Sequence, residues 1–247
     1  MQTDSVAEAF LLATRTWPAA NPSDLWWFIV YRAYCDPSNH PGESAGRDLD
    51  QSWKRTGGWA LEEVLVRHYG DHLRSRGIGL SIPKGQQKRD LLAQPSIPGG
   101  VTLAKVDVVL TGQTRGAEVC FGVVHVKSSF AERRTDDVPL SEALIASGYT
   151  SPLWTMDCKS APSARPQNRG ELGQPWTGGS DTRSDKRKDI EDRGRFSACF
   201  SCNANTIPTP SRFLTESRVV VCGFRDPDDR FSRFLLDAWD RFKRARA

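Results

Sequence analysis

Apolar residues recur at helical spacing near the N-terminus, over residues 5 to 17 and again over 24 to 35. The second stretch, Asp24-Leu-Trp-Trp-Phe-Ile-Val-Tyr31, is apolar nearly all round, the pattern of a buried helix. A polar loop bearing Pro and Gly follows around Asp36 to Asp48. Then Leu61, Val64, Leu65, His68, Tyr69 and Leu73 define a third helix, with Glu62 and Glu63 in its first turn. From Val101 the period changes. Val101 to Leu110 and Glu118 to Ser129 read as strands joined by a Gly-containing turn at Thr111 to Gly116, a β-hairpin. A short helix over Asp136 to Ser147 stops at Gly148, and the apolar run Leu153 to Asp157 adds another strand.

Ala161 to Asp181 is rich in Pro, Gly, Asn and Arg and predicts a long loop, which in a compact domain is more often functional than idle. Phe196 to Cys202 and Ser217 to Phe224 predict further strands. Asp226 to Arg246 predicts an amphipathic final helix with the stripe Phe231, Phe234, Leu235, Ala238, Trp239 and Phe242. The order strand, strand, helix, strand implies an α/β (α+β) fold with a mixed central β-sheet flanked by helices. No internal repeat or low-complexity segment divides the chain. One domain over residues 1–247 is expected: a helical N-terminal part, 1–50; a core, 52–160; and loops, strands and a helix over 161–247.

Composition adds modest constraints. With 38% hydrophobic and 26% charged residues the chain is that of an ordinary soluble protein. The net charge of +4 is mild, but the basic residues cluster at Lys84 to Arg89, Arg183 to Lys188 and Arg241 to Arg246. Six irregularly spaced cysteines, an acidic rather than basic start over Met1 to Trp17 and no bilayer-length apolar run imply a cytoplasmic protein with free thiols and no membrane segment. Cys199 and Cys202 supply only two of the four ligands that zinc normally takes.

The hairpin carries the candidate chemistry. Asp107 lies on its first strand and His125-Val126-Lys127 on its second, where the period of two sets His125 and Lys127 on one face. A carboxylate amid Val106, Val108, Val109 and Leu110 is costly to bury without a purpose. Metal-assisted phosphodiester hydrolysis needs a carboxylate to hold a divalent cation and a positive group near the attacking water or the scissile phosphate. Asp107 and Lys127 suit those roles. A lone histidine on a strand is as readily a core residue as a ligand or proton carrier, so His125 stays open between them.

Asp107, the hairpin and the tripeptide ending in Val126-Lys127 resemble the PD-(D/E)xK nuclease motif, and the chain resembles a type II restriction endonuclease of that superfamily. His125 stands where the motif usually carries Asp or Glu. The resemblance offers Glu62 as the second metal-holding residue, since Arg55-Thr-Gly-Gly-Trp-Ala-Leu-Glu62-Glu63 is similar to the entry of an early core helix whose glutamate faces the metal. Glu118 falls on the opposite strand face by simple alternation. Asp157-Cys158-Lys159 spells a second D-x-K frame at a strand end. Lys127-Ser-Ser-Phe-Ala-Glu-Arg133, Asn168-Arg-Gly-Glu-Leu-Gly173 and Ser184-Asp-Lys-Arg187 extend the likeness over roughly residues 52 to 210.

The resemblance implies cleavage of both strands of a short duplex DNA site with Mg²⁺ by a homodimer, beside a companion DNA methyltransferase. The catalytic set it implies is Asp107, Lys127, His125 and Glu62, with Asp107 and Glu62 on the metal. Arg133, Asn168, Arg169, Arg183, Asp185, Lys186 and Arg187 are expected to face DNA, because these side chains pair with base edges or phosphates. The alternatives are a structure-specific repair or recombination nuclease with the same core, and a non-catalytic DNA-binding protein that keeps the fold.

Overall fold

The computed structural model describes residues 2–36, 38, 49–93, 106–114, 116–129, 134–158, 168–176 and 178–246. Helix α1 (Gln2–Thr16) leads to a continuous helical segment of α2 (Pro22–Leu25), a π-helical stretch (Trp26–Tyr31) and α3 (Arg32–Cys35). Asn21 caps this segment by accepting from Ser23 N at 3.2 Å. Phe10 of α1 meets Trp26 edge-on at 5.1 Å and Phe224 at 5.2 Å, so the helical prologue is pinned to the body of the protein.

Helix α4 (Leu49–Arg74) starts well before the apolar pattern that predicts it and runs straight through Gly57-Gly58. A side chain at Gly57 would collide with the Trp53 ring, so the glycine there lets Trp53 lie flat against the helix. Leu61, Val64, Leu65, Tyr69 and Leu73 form the buried face, as their spacing predicts.

Six strands follow, in the spatial order β1-β2-β3-β4-β5-β6. They are β1 (Ile78–Ser81), β2 (Val108–Thr114), β3 (Ala117–Lys127), β4 (Leu153–Thr155), β5 (Cys199–Ser201) and β6 (Val219–Val221). β1, β2 and β3 pair antiparallel; β3 to β6 are parallel, so the sheet is mixed as expected. Between them lie α5 (Gly85–Leu92), α6 (Arg134–Ala146) and α7 (Asp185–Glu191), and α8 (Arg230–Ala245) closes the fold.

Four elements depart from the sequence reading, one of them α5, whose polar Gly85-Gln-Gln-Lys-Arg-Asp90 start shows no apolar period. The first hairpin strand lies later than predicted: Val101 to Lys105 fall outside the described residues, and β2 continues through Thr111-Gly112-Gln113-Thr114. Gly112 is tolerated inside this strand because the Trp239 ring of α8 occupies the space where a side chain would stand. β1 is a four-residue edge strand, too short to show a period. α7 has no counterpart in the hydrophobic pattern, because its buried face holds Arg187, Asp189 and Glu191 beside Ile190, which erases the apolar periodicity. It is nevertheless capped by Ser184, whose Oγ accepts from Arg187 N at 3.2 Å.

Both faces of the parallel strands are covered, which is why they read as apolar runs rather than alternations. Leu153, Cys199 and Val219 join Val138, Leu172, Ile190 and Phe196 in one cluster. Their sequence neighbours Trp154 and Phe200 join a larger core with Phe231, Leu235, Ala238, Trp239 and Phe242 of α8. Asp229 caps α8 by accepting from Phe231 N and Ser232 N, and its other oxygen accepts from the Tyr69 hydroxyl at 2.8 Å, which ties α8 to α4. No helix among the described residues is long and apolar enough to cross a membrane.

Candidate functional site

The register of the hairpin creates the site. Val108 pairs with Val124, so Asp107, the residue before β2, falls beside the end of β3. Asp107 Oδ2 accepts from Val126 N at 2.9 Å and from Lys127 Nζ at 2.6 Å. Both side chains are nearly buried, at about one tenth exposed. Asp107 therefore precedes the strand rather than riding on it, but the hairpin brings it to Lys127 as expected.

A residue that the sequence reading passed over completes the group. Asp137 lies at the start of α6, where the backbone N–H groups of a helix favour negative charge. Its Oδ2 is 3.4 Å from Lys127 Nζ and its Oδ1 is 3.7 Å from His125 Nδ1. Ligand atoms of Asp107, His125 and Asp137 all lie within 4.8 Å of one another, the one such metal-type grouping among the described residues. The signal that could have found Asp137 was an acid at a helix start ten residues beyond the lysine.

Burial pushes the Asp137 carboxyl up, but hydrogen bonding to His125 and the Lys127 charge outweigh it and hold the group below the usual carboxylate value. Asp137 is thus an anion at neutral pH. His125 is fully buried, with Nε2 3.0 Å from Ser151 Oγ and its ring edge-on to Phe196. The cluster suits a divalent cation. It offers two carboxylates of hard oxygen character, and Asp137 Oδ2 is buried with no hydrogen-bond partner beyond its ion pair with Lys127, an oxygen that a cation or its water would satisfy.

Glu62 is half-buried on α4 and does not belong to this close group. Glu118 lies far along β3, exposed, and accepts from Thr111 Oγ1 at 2.8 Å. Phe121 is an extra residue opposite the Leu110/Thr111 step, so a bulge interrupts the alternation by which Glu118 was set aside. Among the described residues Asp157 joins no metal-type group. It has a positive φ of 47° and turns inward to accept from Glu171 N, Leu172 N and Thr206 Oγ1. Lys159 lies outside the described residues, as does Arg133.

Parallel pairing aligns Lys127, Thr155, Ser201 and Val221, so the loops that leave these strands gather on the side of the sheet where Lys127 lies. Asn168 sits there, donating to Ser23 Oγ and Asp24 Oδ1 while its carbonyl accepts from Asn203 and Asn205. Arg169 and Asp185 are exposed. Lys186 Nζ bonds Glu171 Oε2 at 2.6 Å, and Glu171 Oε1 accepts from Ser129 Oγ, two residues past Lys127. Arg183 is held by Asp181, Glu191 and Asp192. Arg187 is wholly buried and donates to Glu191 Oε1, the Gly173 carbonyl and the Ile207 carbonyl, so it frames the loops instead of facing a duplex.

No family model matches the chain. It is 40% identical over 241 residues to the type II restriction enzyme AgeI of Thalassovita gelatinovora, covering 94% of this chain and 83% of the relative. Its structure resembles that of the specific restriction endonuclease AgeI–DNA complex, with a TM-score of 0.82, 38% identity, and coverage of 96% of this chain and 84% of the other. The pre-specific restriction endonuclease BsaWI–DNA complex shares the fold at a TM-score of 0.53 and 14% identity, over 98% of this chain and 84% of that one.

Proposed function

Because the chain belongs to the type II restriction endonucleases, and is accordingly a site-specific DNA endonuclease that uses a divalent metal, we propose that Asp107 and Asp137 hold Mg²⁺ and that Lys127 serves the attacking water. The observation that carries this reading is the position of Lys127 Nζ, 2.6 Å from Asp107 and 3.4 Å from Asp137. The carboxylate absent from position 125 is supplied by Asp137. The set is therefore equipped for catalysis, which weighs against a binding protein that has only kept the fold, and family membership weighs against a repair nuclease.

When bound, Mg²⁺ supplies Lewis-acid polarisation of the scissile phosphate and lowers the cost of forming hydroxide from water. Asp107, just before the first hairpin strand, and Asp137, at a helix start, would hold the cation. Lys127 orients the water and steadies negative charge on the phosphate as it builds. Glu62 on α4 is proposed as a further carboxylate of the metal set, acting from beyond the close group.

Arg169, Asp185 and Lys186 are the described residues best placed to meet DNA, with Arg133 beside Lys127 in sequence; Asn168 and Arg183 would act by shaping the loops. A single domain, a homodimer on a two-fold duplex site, a companion methyltransferase and a cytoplasmic setting complete the reading. Incubating the protein with unmethylated phage DNA tests it. Discrete fragments that need Mg²⁺, and that vanish with EDTA or with Lys127→Ala, are expected. A smear, or unchanged cleavage by Lys127→Ala, would sink the assignment.

A further inference from the structure

A chain of hydrogen bonds runs from helix α6 to a buried imidazole that lies against the metal cluster. The Ser141 hydroxyl donates to Ser151 Oγ at 2.8 Å, and more weakly reaches the Ser151 carbonyl at 3.4 Å. Ser151 Oγ lies 3.0 Å from His125 Nε2. Ser141, Ser151 and His125 are all fully buried. On the other side of the ring, Nδ1 faces Asp137 Oδ1 at 3.7 Å.

The chain has a direction. Ser151 Oγ already accepts from Ser141, and among the described residues the acceptor within reach of its own proton is His125 Nε2. A buried hydroxyl proton left without an acceptor is costly, so Ser151 donates and Nε2 carries the lone pair. A neutral imidazole then bears its proton on Nδ1, aimed at the Asp137 carboxylate. The other tautomer would strand the Ser151 proton and turn the Nδ1 lone pair toward an anion.

We propose that His125 is a positioning residue rather than a metal ligand: Ser141 and Ser151 hold it as the Nδ1–H tautomer, and that proton orients the Asp137 carboxylate toward Asp107 and Lys127. This rests on the reading of Asp137 as metal-holding. The two roles for His125 exclude each other, because a ligating imidazole would present the Nδ1 lone pair and keep its proton on Nε2. Ser141 and Ser151 thereby acquire a role in the site although neither belongs to the metal group.

The first test needs neither metal nor cleavage. Long-range ¹H–¹⁵N correlation spectra of the full chain labelled with ¹⁵N-histidine, at pH 8, should show His125 with a protonated Nδ1 and a bare Nε2. Its signals are assigned by their loss in His125→Asn. An Nε2–H tautomer or a doubly protonated ring overturns the proposal. The second test titrates Mn²⁺ alone, by paramagnetic resonance, into His125→Asn, whose amide nitrogen stands near Nδ1, and His125→Gln, whose amide stands near Nε2. Thermal unfolding confirms that both variants fold. His125→Gln should lose about 10- to 100-fold in Mn²⁺ affinity, the usual effect of removing an outer partner of a ligand, while His125→Asn stays near the parent. Equal affinities, or equal losses, overturn it. Failure of the Asp137 reading would look different: Asp137→Asn would keep parental Mn²⁺ affinity whatever the His125 tautomer.

Discussion

Asp137 Oδ2 stands 3.4 Å from Lys127 Nζ although a strand exit and a helix start separate the two residues in the chain. With Asp107 Oδ2 at 2.6 Å on its other side, the ammonium is held between two carboxylates from different elements. A lysine this buried needs such partners, since an unpaired charge would be lost to neutralisation. The same pairing fixes its position before any substrate arrives, and it lowers the repulsion between two acids that must sit close enough to share a cation.

Asp137→Asn should abolish cleavage, by more than about a hundredfold, a larger loss than outer partners of a metal ligand produce. DNA binding should be kept or tightened, because the variant removes a negative charge from the cluster beside which the scissile phosphate would bind. Cleavage with Mg²⁺ and gel shifts with Ca²⁺ check the two halves separately. Retained cleavage would remove Asp137 from the metal set.

Asp157 gives a stability signature in a defined pH window. Burial raises its carboxyl from 3.8 to about 6, against the lowering effect of hydrogen bonds from Thr206, Glu171 N and Leu172 N. A folded value above the unfolded one means that the native state binds the proton more tightly. Stability therefore falls as pH rises from about 4 to about 6 and stays lower above it, by an upper bound of about 3 kcal/mol. Asp157→Asn keeps the acceptor oxygen without the charge. It should flatten that slope and raise the unfolding temperature at pH 8 while leaving cleavage intact, read by thermal melts from pH 4 to 8. An unchanged slope would mean that the titrating group lies elsewhere.

The hairpin and its Asp107–Lys127 pair were legible because a lone charge inside an apolar strand pattern is conspicuous. Asp137 was not, since an acid in the first turn of a helix is an ordinary feature and only the turn of the chain after Lys127 brings it back to β3. The run Arg183 to Lys188 hid the placement of Arg187 for the opposite reason. Its charges resemble a solvent-facing stretch, yet Arg187 finds a carboxylate and two carbonyls in the interior, partners contributed by α7 itself and by loops 14 and 20 residues away. Sequence shows charge but not which way a short helix is turned.

Glu62→Gln distinguishes the close group from its outskirts. Glu62 stands on α4, outside the Asp107, His125 and Asp137 cluster. A carboxylate acting from that distance should matter less than a direct ligand, so cleavage is expected to fall by about 10- to 100-fold with the Mg²⁺ optimum moved to higher concentration. Rates measured across a Mg²⁺ series decide it. Parental rates at every concentration would leave α4 with a purely structural role.

Arg169 and Arg187 should separate binding from stability. Arg187→Met breaks a fully buried pair with Glu191, whose Oε1 also accepts from Thr209 at 2.6 Å, and leaves that buried carboxylate with Arg183, 3.1 Å from its Oε2, as its remaining cationic partner. The expected cost is about 3–5 kcal/mol, seen as a shift in the denaturation midpoint. Arg169→Ala, at an exposed position on the loop beside the strand ends, should leave that midpoint unchanged. It should weaken DNA binding and reduce the salt dependence of the affinity by about one phosphate contact. If Arg187→Met instead kept its stability and lost DNA affinity, the arginine would have to leave its buried frame to meet the duplex, and loops 168–176 and 203–210 would rearrange with it.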